Sequence, residues 1–223
     1  MAYVPRIELP HGYYHVTTRG NNKRPIFADD RDRELFLLQL RRVARRYSWS
    51  FYAYCLMGNH YHLVVQLGEN GLSHGMCELN TGYALTHNRR HGRMNHLFGR
   101  RFWSELITTD ARLLTTCRYV VQNPVRAGLC VACEEWPWSS YRATAGSALP
   151  EPFLAVKDVL GLVAHRAGDP VERFREFCRD IEPKRTVSPA ALEPVVSARG
   201  GSHRHGSVTS YAGSDVSRFS TIR

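Results

Sequence analysis

The 223-residue chain is 43% hydrophobic, enough for one domain with a real core plus appendages. No apolar stretch reaches bilayer length and the first ten residues hold no signal-peptide run, so the expectation is a cytoplasmic protein with no membrane partner. A formal net charge of +10 and a pI near 9.6 favour a polyanionic partner, of which nucleic acid is the usual one.

The charge is not a property of the C-terminus alone. Residues 182–223 hold six Lys/Arg against three acids, so most of the excess belongs to the preceding segment. The six cysteines (Cys55, Cys77, Cys117, Cys130, Cys133, Cys178) are scattered, as free thiols in a reducing compartment would be. Cys130 and Cys133 form a lone C-x-x-C without the second pair that a zinc finger requires.

In chain order, residues 12–18 are aromatic and β-branched and predict a strand, broken by Gly20-Asn21-Asn22. Asp29 or Asp30 can cap a helix to about Tyr47, with Leu35, Leu38 and Val43 among its apolar positions. The acids at its start (Asp29, Asp30, Asp32) suit the helix dipole. Residues 50–57 predict a second strand, Gly58-Asn59 a two-residue hairpin loop, and residues 60–67 a third strand. Leu72, Met76, Leu79 and Tyr83 recur at helical spacing to about Arg90. A basic stretch follows, then a fourth strand over 102–108. Asp110 can cap a third helix, which Asn123-Pro124 is expected to end.

Strand, helix, strand, strand, helix, strand is the split β-α-β pattern of a ferredoxin-like antiparallel sheet. The expected fold is therefore α+β, βαββαβ, with helices on one face. One or two further helices are expected in residues 150–181, and a disordered basic tail beyond them. The corresponding domain reading is a main domain over 1–148, a helical extension over 149–181 and a tail over 182–223.

His60-Tyr61-His62 opens the third strand. Alternation puts His60, His62, Val64 and Gln66 on one face and Tyr61, Leu63, Val65 and Leu67 on the other. The second set is apolar and should pack on the helices, leaving the histidines on an open face. Two imidazoles two residues apart can chelate one ion. An isolated H-x-H is common in a chain with eleven histidines, and His203-Arg204-His205 is another, with no role assigned. On the third helix Tyr119 and Asn123 are four apart and share a face. Taken alone, Tyr119 reads as a half-buried aromatic and Asn123 as a cap before Pro124.

Together the motifs resemble the single-tyrosine HUH transposases, in particular the REP-associated tyrosine transposase group. Four ordered blocks carry the likeness: Tyr13-Tyr14-His15-Val16-Thr17-Thr18-Arg19-Gly20-Asn21, Met57-Gly58-Asn59-His60-Tyr61-His62-Leu63, Tyr119 to Leu129, and Trp136-Pro137-Trp138-Ser139-Ser140-Tyr141. The resemblance covers roughly residues 13–141. Gly58 stands where a proline is common, and neither the Cys130/Cys133 pair nor the long tail belongs to the pattern. The family fold is the ferredoxin-like sheet. The resemblance implies His60, His62 and Asn123 as ligands of a divalent ion, Mg²⁺ or Mn²⁺, and Tyr119 as nucleophile. Gln122 is an alternative third ligand, and the spacing of four favours Asn123.

The implied reaction is cleavage and rejoining of single-stranded DNA through a 5′-phosphotyrosine, guided by a hairpin-forming repeat. A free phenol titrates near pH ~10, so Tyr119 needs a nearby positive charge or base. Candidate DNA contacts are Arg19, Arg89, Arg90, Arg93, Arg100, Arg101 and Trp103. A rival reading is a non-catalytic nucleic-acid-binding module of the same fold. Another is a metallohydrolase using a carboxylate, for which no well-placed acid is visible in the sequence. Monomer and homodimer are both open.

Overall fold

The first strand, β1, is Tyr13–Arg19. The fold comes from a computed structural model that describes residues 8–69, 71–164 and 168–180; the tail over 182–223 lies outside them. Alternation divides β1 cleanly. Tyr14 and Val16 are buried in one core, while Tyr13, His15, Thr17 and Arg19 take the other face. Strands β2 (Ser50–Leu56), β3 (His60–Gln66) and β4 (Trp103–Ile107) complete the sheet. Its order is β2-β3-β1-β4 and every pairing is antiparallel. This is the order expected of a ferredoxin-like βαββαβ unit.

Helices α1 (Asp30–Tyr47) and α2 (Leu72–Arg90) are the two crossovers and pack on one face. The core there joins Phe36, Leu40 and Val43 of α1 and Met76, Leu79 and Tyr83 of α2 to Tyr61, Leu63 and Val65 of β3. Asp29 is the cap of α1, its side chain accepting the Asp32 amide N–H at 3.0 Å. Helix α2 passes so close to Trp49 that a Cβ at Gly75 would lie 2.3 Å from the indole, which explains a glycine within a helix.

The other face is not open, contrary to the sequence expectation. Helix α3 (Asp110–Arg126) lays Leu113, Cys117, Val120 and Val121 against Ala53, Cys55 and Val64. A short α4 (Tyr141–Thr144), then α5 (Val156–Val163) and α6 (Pro170–Arg179), add Tyr141, Val159 and Phe174 to that second core. The sheet is thus sandwiched, because β2 presents apolar side chains to both sides. Two details of α3 also differ from expectation. Thr109, not Asp110, is the cap, accepting the Arg112 amide N–H. The helix also continues through Pro124 to Arg126. Proline cannot donate to the Val120 carbonyl, and the Asn123 side-chain amide donates there at 3.4 Å and to the Tyr119 carbonyl at 2.8 Å.

One buried charge ties α1 to α2. Asp32 is fully buried and accepts the Ala28 amide at 2.8 Å and Arg90 Nη1 at 2.7 Å, with His91 Nε2 at 2.9 Å. Arg90 also forks onto Asp29 at 2.6 and 3.0 Å. Burial raises the Asp32 carboxyl, but the bonds from His91, Ala28 and Arg90 outweigh it and hold the carboxyl below its ordinary value. The stabilisation is therefore present at neutral pH and is lost as pH falls through that depressed value. Asp32→Asn is expected to cost about 3 kcal/mol at pH 7, because Arg90 loses its buried partner. Urea unfolding checks this; a change below about 1 kcal/mol would mean that solvent screens the pair.

Candidate active site

Register assembles the chemistry-bearing face. Arg19 lies opposite His60, Thr17 opposite His62, and His15 opposite Val64. On the other side of β1, Trp103 lies opposite Thr17 and Glu105 opposite His15. His15, Thr17 and Arg19, His60 and His62, and Trp103 and Glu105 therefore share one face.

Beneath α3 the two central histidines are largely desolvated, His15 at 8% and His62 at 7% exposure. Their rings stack with centroids 5.3 Å apart, and His15 Nε2 lies 3.1 Å from His62 Nδ1. The His60 and His62 rings are 5.1 Å apart, nearly perpendicular. His60 Nδ1 is 2.7 Å from Asn59 Oδ1. Burial, then the Arg112 guanidinium, lowers His15 to about 4. Burial, then Arg19, lowers His60 to about 4. His62 falls well below its ordinary value through burial and then the neighbouring His15, His60 and Arg19. The imidazoles are thus neutral at pH 7, the form in which they bind metals.

Tyr119 comes to this cluster from α3. The helix buries Leu113, Cys117, Val120 and Val121, which leaves Tyr119 on its flank at 40% exposure. Its ring meets both His15 and His62 edge-on, each with centroids 5.9 Å away. The Arg126 guanidinium lies 5.5 Å from the Tyr119 ring centre, a cation near the phenol.

Asn123 sits one turn further on α3. Its amide nitrogen is committed to the helix carbonyls, while no hydrogen bond engages its Oδ1 among the described residues. Gln122 faces elsewhere. It is fully buried, donates to the Cys178 and Asp180 carbonyls at 2.8 and 3.0 Å, and is held by Arg126. Of the two amides, only Asn123 keeps an oxygen free. Two neutral imidazoles and an amide oxygen fit a divalent ion.

Two residues of this face were missed by sequence reasoning. His15 required the β1–β3 register, although alternation within Tyr13–Arg19 already separated it from Tyr14 and Val16. Glu105 joins the face through the β1–β4 register, opposite His15. Counting in twos from Trp103 would have found it, and it pairs with Arg112 at 3.2 Å. A separate group, Asp32, His87 and His91, brings three ligand atoms within 4.8 Å of one another. There the Arg90 guanidinium, 3.0 Å from His91 Nε2, already supplies the cation.

The candidate DNA contacts divide by position. Arg19 and Trp103 border the histidines; Trp103 is 41% exposed, with its ring 5.4 Å from His15. Arg100 and Arg101 line a groove of about 750 Å³ beside α2 with Asn21, Asn80 and Phe98. Arg89 ends α2 exposed and Arg93 follows it, whereas Arg90 is spent on Asp29 and Asp32.

Against known proteins, the model of the family described as "Transposase IS200 like" matches residues 9–123. The chain belongs to this transposase family. A Haemophilus influenzae protein assigned as a REP-associated tyrosine transposase is 28% identical over 125 residues, covering 51% of this chain and 71% of that one. A solved REP-associated tyrosine transposase, bound to a REP hairpin, superposes with a TM-score of 0.56 at 18% identity, covering 70% of this chain and 92% of that one. The shared fold is the four-stranded sheet with its helices.

Gln122→Leu is expected to lower stability by about 1–3 kcal/mol, since the buried Cys178 carbonyl and the Asp180 carbonyl lose their donor, while leaving Mn²⁺ affinity unchanged. Urea unfolding and metal titration of the same variant check both halves.

Proposed function

We propose that the chain cleaves and rejoins single-stranded DNA through a 5′-phosphotyrosine on Tyr119, as a transposase acting on hairpin-forming repeat DNA in the cytoplasm. The observation that supports this most directly is the Tyr119 ring set edge-on against His15 and His62, 5.9 Å from each. The hairpin partner of the similar solved protein supports the substrate class.

His60, His62 and the Asn123 oxygen are the residues that would hold a divalent ion, Mg²⁺ or Mn²⁺. Bound there, it supplies Lewis-acid polarisation of a phosphate and a template for in-line attack. Because these three ligands are uncharged, an ion held there would keep its full positive charge. The remaining steps belong to the chain. The Tyr119 oxygen attacks phosphorus; the bond to the 3′ oxygen breaks, and that oxygen leaves as a 3′-OH. Tyr119 then carries the 5′ phosphate. A second 3′-OH reverses the exchange, so strands are rejoined without a nucleotide triphosphate. Arg126, 5.5 Å from the centre of the Tyr119 ring, sets a positive charge beside the reacting side chain. Arg19 stands at the entrance for the phosphate backbone, and Trp103 offers an exposed ring on which a base can stack. Arg89, Arg93, Arg100 and Arg101 extend the basic track.

A labelled single strand incubated with Mg²⁺ or Mn²⁺ is expected to give a denaturation-resistant protein adduct. Tyr119→Phe abolishes the adduct but not DNA binding, and excess chelator abolishes cleavage. Binding without cleavage in the wild type would favour the non-catalytic module, and cleavage without an adduct would favour water as nucleophile. A separate titration addresses the charge: affinity should fall steeply between low and moderate salt, whereas a flat response would remove the arginines from the interface. Trp103→Ala should weaken binding by about 1–3 kcal/mol if a base stacks there.

A further inference from the structure

We propose that Asn59 and His15 are positioning residues that fix the tautomers of His60 and His62, keeping a proton on each Nδ1 so that both Nε2 lone pairs are available to an ion. This rests on the reading of His60 and His62 as metal ligands. A neutral imidazole carries one ring proton, and only the bare nitrogen can bind a metal. Which nitrogen is bare is set by the hydrogen bond the other makes.

At His60 the assignment follows from Asn59. Its Oδ1, 2.7 Å from His60 Nδ1, can only accept, so the proton is on Nδ1. The amide cannot be turned over, because its nitrogen donates to the Lys23 carbonyl at 2.9 Å and reversal would set oxygen against oxygen. Lys23 is held in turn. Asn22 and Lys23 both have left-handed backbones, with φ of 51° and 59°. The turn is closed by the Lys23 N–H on the Gly20 carbonyl at 3.0 Å and the Gly20 N–H on the Asn59 carbonyl at 2.8 Å. A Cβ at Gly20 would lie 2.1 Å from the Arg24 carbonyl oxygen, so the turn closes only on glycine. The Gly20-Asn21-Asn22 break and the Gly58-Asn59 loop thus form one bracket behind His60.

At His62 the partner is His15, diagonal to it across the β1–β3 pair. His15 Nε2 and His62 Nδ1 are 3.1 Å apart, so one donates and the other accepts. Were His15 the donor, His62 would carry its proton on Nε2 and could not bind through it. With His62 the donor, both ligands present Nε2. The His15 ring is held beside His62 by its neighbours, being stacked on His62 and edged by Trp103 and Tyr119.

Two measurements on the full chain test this. The first is the ring ¹⁵N spectrum of metal-free protein, with His60 and His62 assigned by substitution. The expected result is a proton on Nδ1 of both; a proton on Nε2 of either overturns the proposal. The second is Mn²⁺ affinity by electron paramagnetic resonance, with folding checked by circular dichroism. Asn59→Leu and His15→Phe should each weaken binding roughly tenfold to a hundredfold. His15→Gln keeps an acceptor for the His62 Nδ1 proton and should stay within a few-fold of wild type. Wild-type affinity in the apolar variants, or a loss in His15→Gln equal to that in His15→Phe, contradicts the assignment. If the wild type binds no Mn²⁺, the metal reading fails, while the ring spectrum still decides the tautomers.

Discussion

The pairing of β1 with β3, Thr17 against His62 and Arg19 against His60, is the constraint on which the chemistry rests. Side chains alternate along a strand, so a slip of one residue would send His15 into the apolar core and Tyr14 onto the histidine face. The register is pinned from the far side: Tyr14, Val16, Tyr61, Leu63 and Val65 are buried beneath α1 and α2 and cannot be turned outward without losing that burial. The packing of one face therefore fixes the geometry of the other. Glu105 and Trp103 join by the same rule through β4.

Helix α3 does two things with one amphipathic pattern. Leu113, Cys117, Val120 and Val121 seal the second core, and the flank they leave carries Tyr119 and Asn123. Burial by α3 also desolvates His15 and His62, which keeps them neutral. The charged knot of Asp32, Arg90 and His91 lies apart, between α1 and α2. Its arginine is held in the scaffold, so the proposed DNA contacts fall to other residues, such as Arg19 and Arg100.

Much of the fold was readable from local pattern. The strand alternation of Tyr13–Arg19 and His60–Gln66, the Gly58-Asn59 hairpin and the helical spacing of Leu72 to Tyr83 all respond to short-range physics, and the βαββαβ order followed. What was not readable depended on contacts between distant segments. That the histidine face is covered requires β2 to be apolar on both sides and α3 to find it. The continuation of α3 through Pro124 depends on the Asn123 amide donating to the carbonyl that proline leaves without a donor. His15 acquires meaning only beside His62, 47 residues away in sequence. For Tyr119 the helical spacing to Asn123 was visible, but its closeness to the imidazoles was a matter of tertiary packing.

The placement of the phenol beside the proposed metal ligands His60 and His62 can be measured without DNA and without turnover. With 3-fluorotyrosine in the full chain, the ¹⁹F resonance of Tyr119, assigned by its loss in Tyr119→Phe, is followed as Mn²⁺ is added. The account predicts that this resonance broadens beyond detection, and that it stays sharp when His60 and His62 are both replaced by alanine. A sharp Tyr119 signal in wild-type protein with Mn²⁺ bound would place the ion away from the phenol and contradict the account.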